Sequence, residues 1–169
     1  MRRKLTFGLL TSLFTLFFGA VSYAAGSPIT NGSFQTGDFT GWTVSDSTRC
    51  HYGVCGNGTA SVQVCNPSAP GDTDGFCASL AGANVRISQA VGNTSVHKYT
   101  LGACLKHSGS GTVNVYGSVQ FSLSGDTGWV CQTKMFTNTG GPQRIAPITV
   151  QNSGGTAYAD QFTFVVNQP

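Results

Sequence analysis

The chain has 169 residues and a formal net charge of +3, from nine Lys+Arg against six acids, all of them aspartate. The surplus belongs to Arg2, Arg3 and Lys4; from residue 25 onward Arg49, Arg86, Lys98, Lys106, Lys134 and Arg144 balance Asp38, Asp46, Asp72, Asp74, Asp126 and Asp160. A domain so balanced has no basic face with which to neutralise phosphates, which excludes a nucleic-acid binder and disfavours electrostatic attachment to a membrane.

The three N-terminal basic residues precede an uncharged apolar run over residues 5–21 and the step Ser22-Tyr23-Ala24. Together these form the basic region, apolar region and small-residue cleavage site of a secretory signal peptide, with cleavage expected after Ala24. The run is at the lower limit for a bilayer span and is interrupted by Gly8, Thr11, Ser12, Thr15 and Gly19, so a leader is favoured over an anchor. The expected product is one secreted or periplasmic domain over residues 25–169, with no membrane segment after cleavage.

All six cysteines, Cys50, Cys55, Cys65, Cys77, Cys104 and Cys131, follow the leader. An even count in an exported chain predicts three disulfides, for which fifteen connectivities are open. No C-x-x-C pair suggests zinc. Four cysteines crowd residues 50–77 and two lie downstream, a grouping that favours Cys50 with Cys55, Cys65 with Cys77, and Cys104 with Cys131.

Between Ile29 and Gly41 the chain is turn-rich and ends in Gly41-Trp42-Thr43-Val44. Residues 46–77 read as an irregular, cysteine-stapled insert containing one short alternating run, Ala60, Val62 and Val64. Asp72-Thr73-Asp74-Gly75 reads as a solvated turn. Strands are predicted over 85–91, 97–106, 112–123, 129–138, 144–151 and 156–166. In the second, Tyr99, Leu101, Ala103 and Leu105 share a face. Over 112–123, Val113, Val115, Val119, Phe121 and Leu123 take one parity and Asn114, Tyr116, Ser118 and Gln120 the other, which predicts one half-buried antiparallel strand. Short strands separated by Gly, Ser and Asn predict an all-β antiparallel sandwich.

The stretch Asn31-Gly32-Ser33-Phe34-Gln35-Thr36-Gly37-Asp38-Phe39-Thr40-Gly41-Trp42-Thr43 resembles the opening of jelly-roll, galactose-binding-like carbohydrate-binding modules of the kind attached to xylanases and cellulases. Ile87-Ser88-Gln89-Ala90-Val91 followed by Tyr99-Thr100-Leu101 is similar to an internal strand pair of that family, and Ala157-Tyr158-Ala159-Asp160-Gln161-Phe162 to its closing strand. The resemblance spans nearly all of residues 25–169. It implies a jelly roll, a non-catalytic module and a polysaccharide or glycan as partner. It also implies a structural calcium between the first and last strands, held by Asp160, Gln35 and carbonyls near Ser33. Gln35 stands where the family has Glu, and the cysteine-rich insert is not part of the common pattern.

Sugar recognition uses an aromatic ring against the apolar face of a pyranose, flanked by amides and hydroxyls. Tyr116, with Asn114 and Gln120 on the polar parity of its strand, is the first candidate; Tyr52, beside His51, is the second. Trp42 is expected in the core. Asp160 shares parity with Tyr158, Phe162, Phe164 and Val166, so its carboxylate points to the apolar side and requires a partner. No persuasive carboxylate pair and no G-x-S-x-G elbow appear, and His51, His97 and His107 are scattered, so no enzyme is expected. The alternative function is a structural or adhesion domain without a sugar site.

Overall fold

Alternating side chains build two sheets that share one core. The computed structural model describes residues 29–91, 98–137 and 146–167. The predicted leader, and the ends of predicted strands at His97, Asn138 and Arg144, lie outside the described residues. Ten strands run in chain order: β1 (Thr43–Ser45), β2 (Asn57–Val64), β3 (Phe76–Ala83), β4 (Val85–Gln89), β5 (Lys98–Ser108), β6 (Thr112–Tyr116), β7 (Phe121–Ser124), β8 (Val130–Thr137), β9 (Ile148–Asn152) and β10 (Thr156–Asn167). They pair antiparallel into a five-stranded sheet ordered β1-β4-β9-β6-β7 and a second ordered β2-β3-β10-β5-β8. This is the expected all-β sandwich.

The inner faces hold Ile87, Val113, Val115, Phe121 and Val150 from the first sheet and Leu80, Leu101, Leu105 and Phe164 from the second, all buried. Tyr99, Leu101, Ala103 and Leu105 face inward together, as their alternation predicts. Trp42 is core: its ring lies 5.5 Å from Phe34 and 5.0 Å from Phe162. Gln89 is buried and ties the chain's opening to β4, accepting from the Thr30 N–H and donating to the carbonyls of Thr30 and Gly41. All six cysteines are paired, Cys50 with Cys55, Cys65 with Cys77, and Cys104 with Cys131.

Three expectations need correction. Residues 112–123 are not one strand but the hairpin β6–β7, with Val115 opposite Phe121. Five residues, an odd number, separate the opposed Val115 and Phe121, so apolar positions keep their parity through the turn and imitate one long strand. The predicted strands also lack β3, which begins at the end of the insert over 46–77 and pairs with β2 along its length; the rest of that insert, outside β2, is mostly irregular, as expected. Strand β3, Phe-Cys-Ala-Ser-Leu-Ala-Gly-Ala, is largely buried on both faces and is built of small residues, so it shows no alternation to detect. In β10 the register shifts between Asp160 and Thr163, with Gln161 at φ 52°. This bulge adds one residue and reverses the parity. Ala157 and Ala159 face the core before it and Phe162 and Phe164 after it, so Asp160 does not share their side. It is buried all the same, beside the turn at Gly32, whose carbonyl accepts the Phe162 N–H. A methyl group on Gly32 would overlap the Phe162 carbonyl oxygen.

Asp46 organises the junction of β1 and β2. Its Oδ1 accepts from the Thr48 and Arg49 N–H groups and the Thr48 hydroxyl, and its Oδ2 from the Arg49 guanidinium and the Ala60 N–H. The Arg49 hydrogen bond, foremost, holds the carboxyl well below the usual carboxylate range. The folded value lies below the unfolded one, so the stabilisation is complete above about pH 4 and is lost as pH falls through the folded value. Replacing Asp46 with Asn is expected to cost about 2 kcal/mol at pH 7. Denaturant titrations across pH should show the gap from wild type narrowing below about pH 4; a gap independent of pH would contradict the assignment.

Candidate functional site

The outward residues of the first sheet form two polar rows fixed by its register. Ser45 pairs with Arg86, Arg86 with Gln151, Gln151 with Asn114, and Asn114 with Ser122. One step along, Thr43 pairs with Ser88, Ser88 with Thr149, and Thr149 with Tyr116. At the β1 side a cavity of about 280 Å³ opens over Thr43, Arg86, Ser88 and Thr149, walled by His51 and Tyr52.

The wall is a stapled turn. His51 and Val54 exchange both backbone hydrogen bonds, at 3.1 and 3.0 Å. Tyr52 and Gly53 both have positive φ, 50° and 74°, the conformation of a tight type I′ connection. Cys50–Cys55 closes the turn from below, and the Ser45 hydroxyl donates to the Val54 carbonyl at 2.6 Å. The Arg49 carbonyl and the Gly56 N–H at its base bond the Asp46 main chain. Tyr52 is therefore 92% exposed yet carried on a braced loop, with its ring 4.0 Å from that of His51.

The structure thus puts Tyr116 and Asn114 on the same face as Tyr52. Tyr116 is exposed on β6, and Asn114 accepts the Ser122 hydroxyl at 2.8 Å. Gln120 is not in these rows; it lies in the β6–β7 turn, and its carbonyl accepts the Lys134 ammonium. Arg86, Ser88, Thr43 and Thr149 were not singled out from the sequence. The detectable signal was Arg86 and Ser88 alternating with Val85, Ile87 and Gln89.

The second predicted site gathers at the β10 bulge. Asp160 is fully buried; its Oδ1 accepts the Gln161 N–H at 2.7 Å and its Oδ2 has no partner. Burial, first, and then the charges of Asp72 and Asp74 push this carboxyl up to about 7. The Asp72–Gly75 turn is half-buried rather than freely solvated. Asp72 accepts the N–H groups of Asp74 and Gly75, and Asp74 accepts the Ser33 hydroxyl at 3.1 Å. Ser33 also reaches the Gln35 side-chain oxygen, at 3.4 Å. Among the described residues no three acidic, His or Cys groups are close enough to hold a metal by themselves. A cation here would need Gln35, a hydroxyl, carbonyls or water alongside Asp160. The orphaned buried oxygen of Asp160, with the carboxylates of Asp72 and Asp74 and the Ser33 hydroxyl near by, fits a hard cation of the calcium type.

No protein-family model matches this chain, and no curated protein does. Solved structures do. The chain is similar to a family 61 carbohydrate-binding module in complex with β-1,4-galactotriose, with a TM-score of 0.57 and 20% identity over 85% of this chain and 100% of that one. It is similar to a family 16 carbohydrate-binding module, with a TM-score of 0.58 and 21% identity over 81% of this chain and 98% of that one. The enzymatically active domain of bacteriophage CBA120 tailspike protein 4 also matches, with a TM-score of 0.57 and 14% identity over 83% of this chain, which spans 21% of the tailspike chain. The fold is the jelly-roll sandwich of carbohydrate-binding modules, as the sequence motifs imply.

Because the folded Asp160 carboxyl lies above its unfolded value, its contribution to stability is greatest below about pH 4 and is lost as pH rises through about 7. In chelator, wild-type stability relative to Asp160→Asn is expected to fall over that interval. Parallel stability curves for the two proteins would show that the carboxyl is not buried unpaired.

Proposed function

We propose that this protein is a secreted, non-catalytic carbohydrate-binding module that holds a glycan chain across the outer face of its first sheet. The observation that carries this reading is the pairing of two polar rows with two tyrosines, Tyr116 on β6 and Tyr52 on the braced turn, flanking one face of a sandwich shared with carbohydrate-binding modules. A pyranose needs this combination: a ring to cover its C–H face, and hydroxyls and amides to meet its edge. The four strands β1, β4, β9 and β6 hold Thr43 and Tyr116 roughly 14 Å apart. That is room for a short stretch of polysaccharide rather than one sugar. The three disulfides support an extracellular setting.

Calcium has a structural place in this reading. Asp160, with Gln35 and Ser33, would hold the ion, which would supply the positive charge that the buried carboxylate lacks and tie the opening turns to β10. Calcium at pH 7 should raise the melting temperature of wild type and leave that of Asp160→Asn unchanged. Equal melting temperatures for wild type with calcium and with chelator would remove the ion from the account.

The sugar face is tested by retention on insoluble polysaccharides and binding to a glycan array. Tyr116→Ala should abolish retention with little change in melting temperature, because the side chain is exposed and its loss opens no cavity. Aromatic contact of this kind contributes about 1–3 kcal/mol, by analogy with bases stacked on aromatic side chains. Val115→Ala, buried on the opposite face of the same strand, should cost about 1–3 kcal/mol of stability and leave binding intact in the folded fraction. A Tyr116 variant that is stable and still retained would move the site away from β6. Wild type that binds no glycan would favour a structural or adhesion domain.

A further inference from the structure

Arg86, on β4 at the β1 side of the proposed sugar face, has no counter-ion among the described residues. Its side chain makes no ion pair or hydrogen bond among the described residues, and its Nε is buried without a partner. A guanidinium N–H withdrawn from water and left unpaired is costly. Of the other described cations, Arg49 is paired with Asp46, Lys106 lies over the Tyr158 ring and Lys134 over the Phe121 ring, while Lys98 is exposed at the start of β5. The acids are likewise engaged elsewhere. Asp46 bonds Arg49, Asp38 accepts from Thr36 and Thr40, and Asp126 accepts the Gly109 N–H. Asp72, Asp74 and Asp160 belong to the group at the β10 bulge. No acid lines the cavity, whose remaining polar contributors are hydroxyls and the His51 and Tyr52 rings.

We infer that this cavity selects an acidic sugar, with the carboxylate of a uronic acid residue seated on the Arg86 guanidinium. The inference rests on the reading of this face as a glycan platform and adds the class of glycan. The planar two-pronged guanidinium matches a planar carboxylate, and charge-assisted pairs of this geometry are among the strongest hydrogen bonds available to a protein. Thr43, Ser88 and Thr149 line the same cavity and bring hydroxyls to it, and Tyr52 offers an exposed ring there. At about 280 Å³ the cavity is near the lower end of small-molecule sites, suited to one sugar residue of a longer chain. A sulfate ester presents similar anionic oxygens on a tetrahedral centre, and the experiment separates the two.

Calorimetric titration with an oligogalacturonide, with its carboxyl-reduced neutral counterpart and with a sulfated neutral galacto-oligosaccharide tests the inference. Wild type should bind the oligogalacturonide more tightly than the reduced form by roughly tenfold or more, the factor a charge-assisted pair carries. Arg86→Gln should bring the two affinities within about twofold of each other. Arg86→Lys, which keeps the charge but not the fork, should retain part of the preference. Should Arg86→Gln fail to fold, rising ionic strength applied to wild type gives the second measure: it should weaken uronate binding and leave neutral binding unchanged. Wild type that binds the neutral form as well as the acidic one overturns the inference and leaves the sugar platform standing. So does a preference confined to the sulfated ligand, or a uronate preference that survives Arg86→Gln. Wild type that binds none of the three and is not retained by any polysaccharide overturns the platform, and this inference with it.

Discussion

The register of the first sheet is the constraint from which the rest follows. Ser45, Arg86, Gln151, Asn114 and Ser122 lie opposite one another from strand to strand, as do Thr43, Ser88, Thr149 and Tyr116. The residues between them, Ile87, Val113, Val115 and Val150, are buried against the second sheet. A slip of one residue on any strand would put a polar side chain into the core and an aliphatic one onto the outer face. Core packing therefore holds the outer rows in line, by contacts made on the opposite side of the sheet.

Two carboxylates with altered proton affinity complete the arrangement, one just after β1 and one at the β10 bulge. Asp46 is saturated with donors and strongly favours the charged form; it clamps the base of the turn that carries Tyr52. Asp160 is starved of donors, with one oxygen lacking any partner, and its charged form is disfavoured. The first is a finished structural element. The second keeps one buried oxygen unpartnered, and it sits where the opening turns meet the last strand. The contrast follows the general rule that hydrogen bonding to the anion lowers a carboxyl's pKa and burial raises it.

Much of the fold was legible because most of these strands alternate. Val85 to Gln89, Tyr99 to Leu105 and Val113 to Val115 each advertise their buried face, and the Gly32, Gln89 and Trp42 motifs mark contacts the structure contains: a turn pressed on Phe162, a buried amide joining Thr30 to Gly41, and a ring packed on Phe34 and Phe162. What failed was parity across irregularities. A hairpin whose connection preserves parity passes for one strand, a bulge at Gln161 reverses the inward side, and a strand of small residues buried on both faces has no pattern. For the candidate site, Tyr116, Asn114 and Tyr52 were legible as outward polar or aromatic positions. Their assembly on one face was not, because it depends on strand order: β4 and β9 lie between β1 and β6. Arg86 was invisible for the same reason. A single arginine on a strand becomes notable only when its neighbours prove to contain no acid.

The most direct test of a glycan platform on the first sheet is a map of where a bound oligosaccharide perturbs the backbone. Amide chemical shifts followed during titration with a retained oligosaccharide should move at Thr43, Arg86, Ser88, Thr149 and Tyr116 and in the turn at Tyr52. They should stay fixed at Thr100, Met135 and Val165 of the second sheet. Shifts concentrated on the second sheet, with the first sheet silent, would contradict the account.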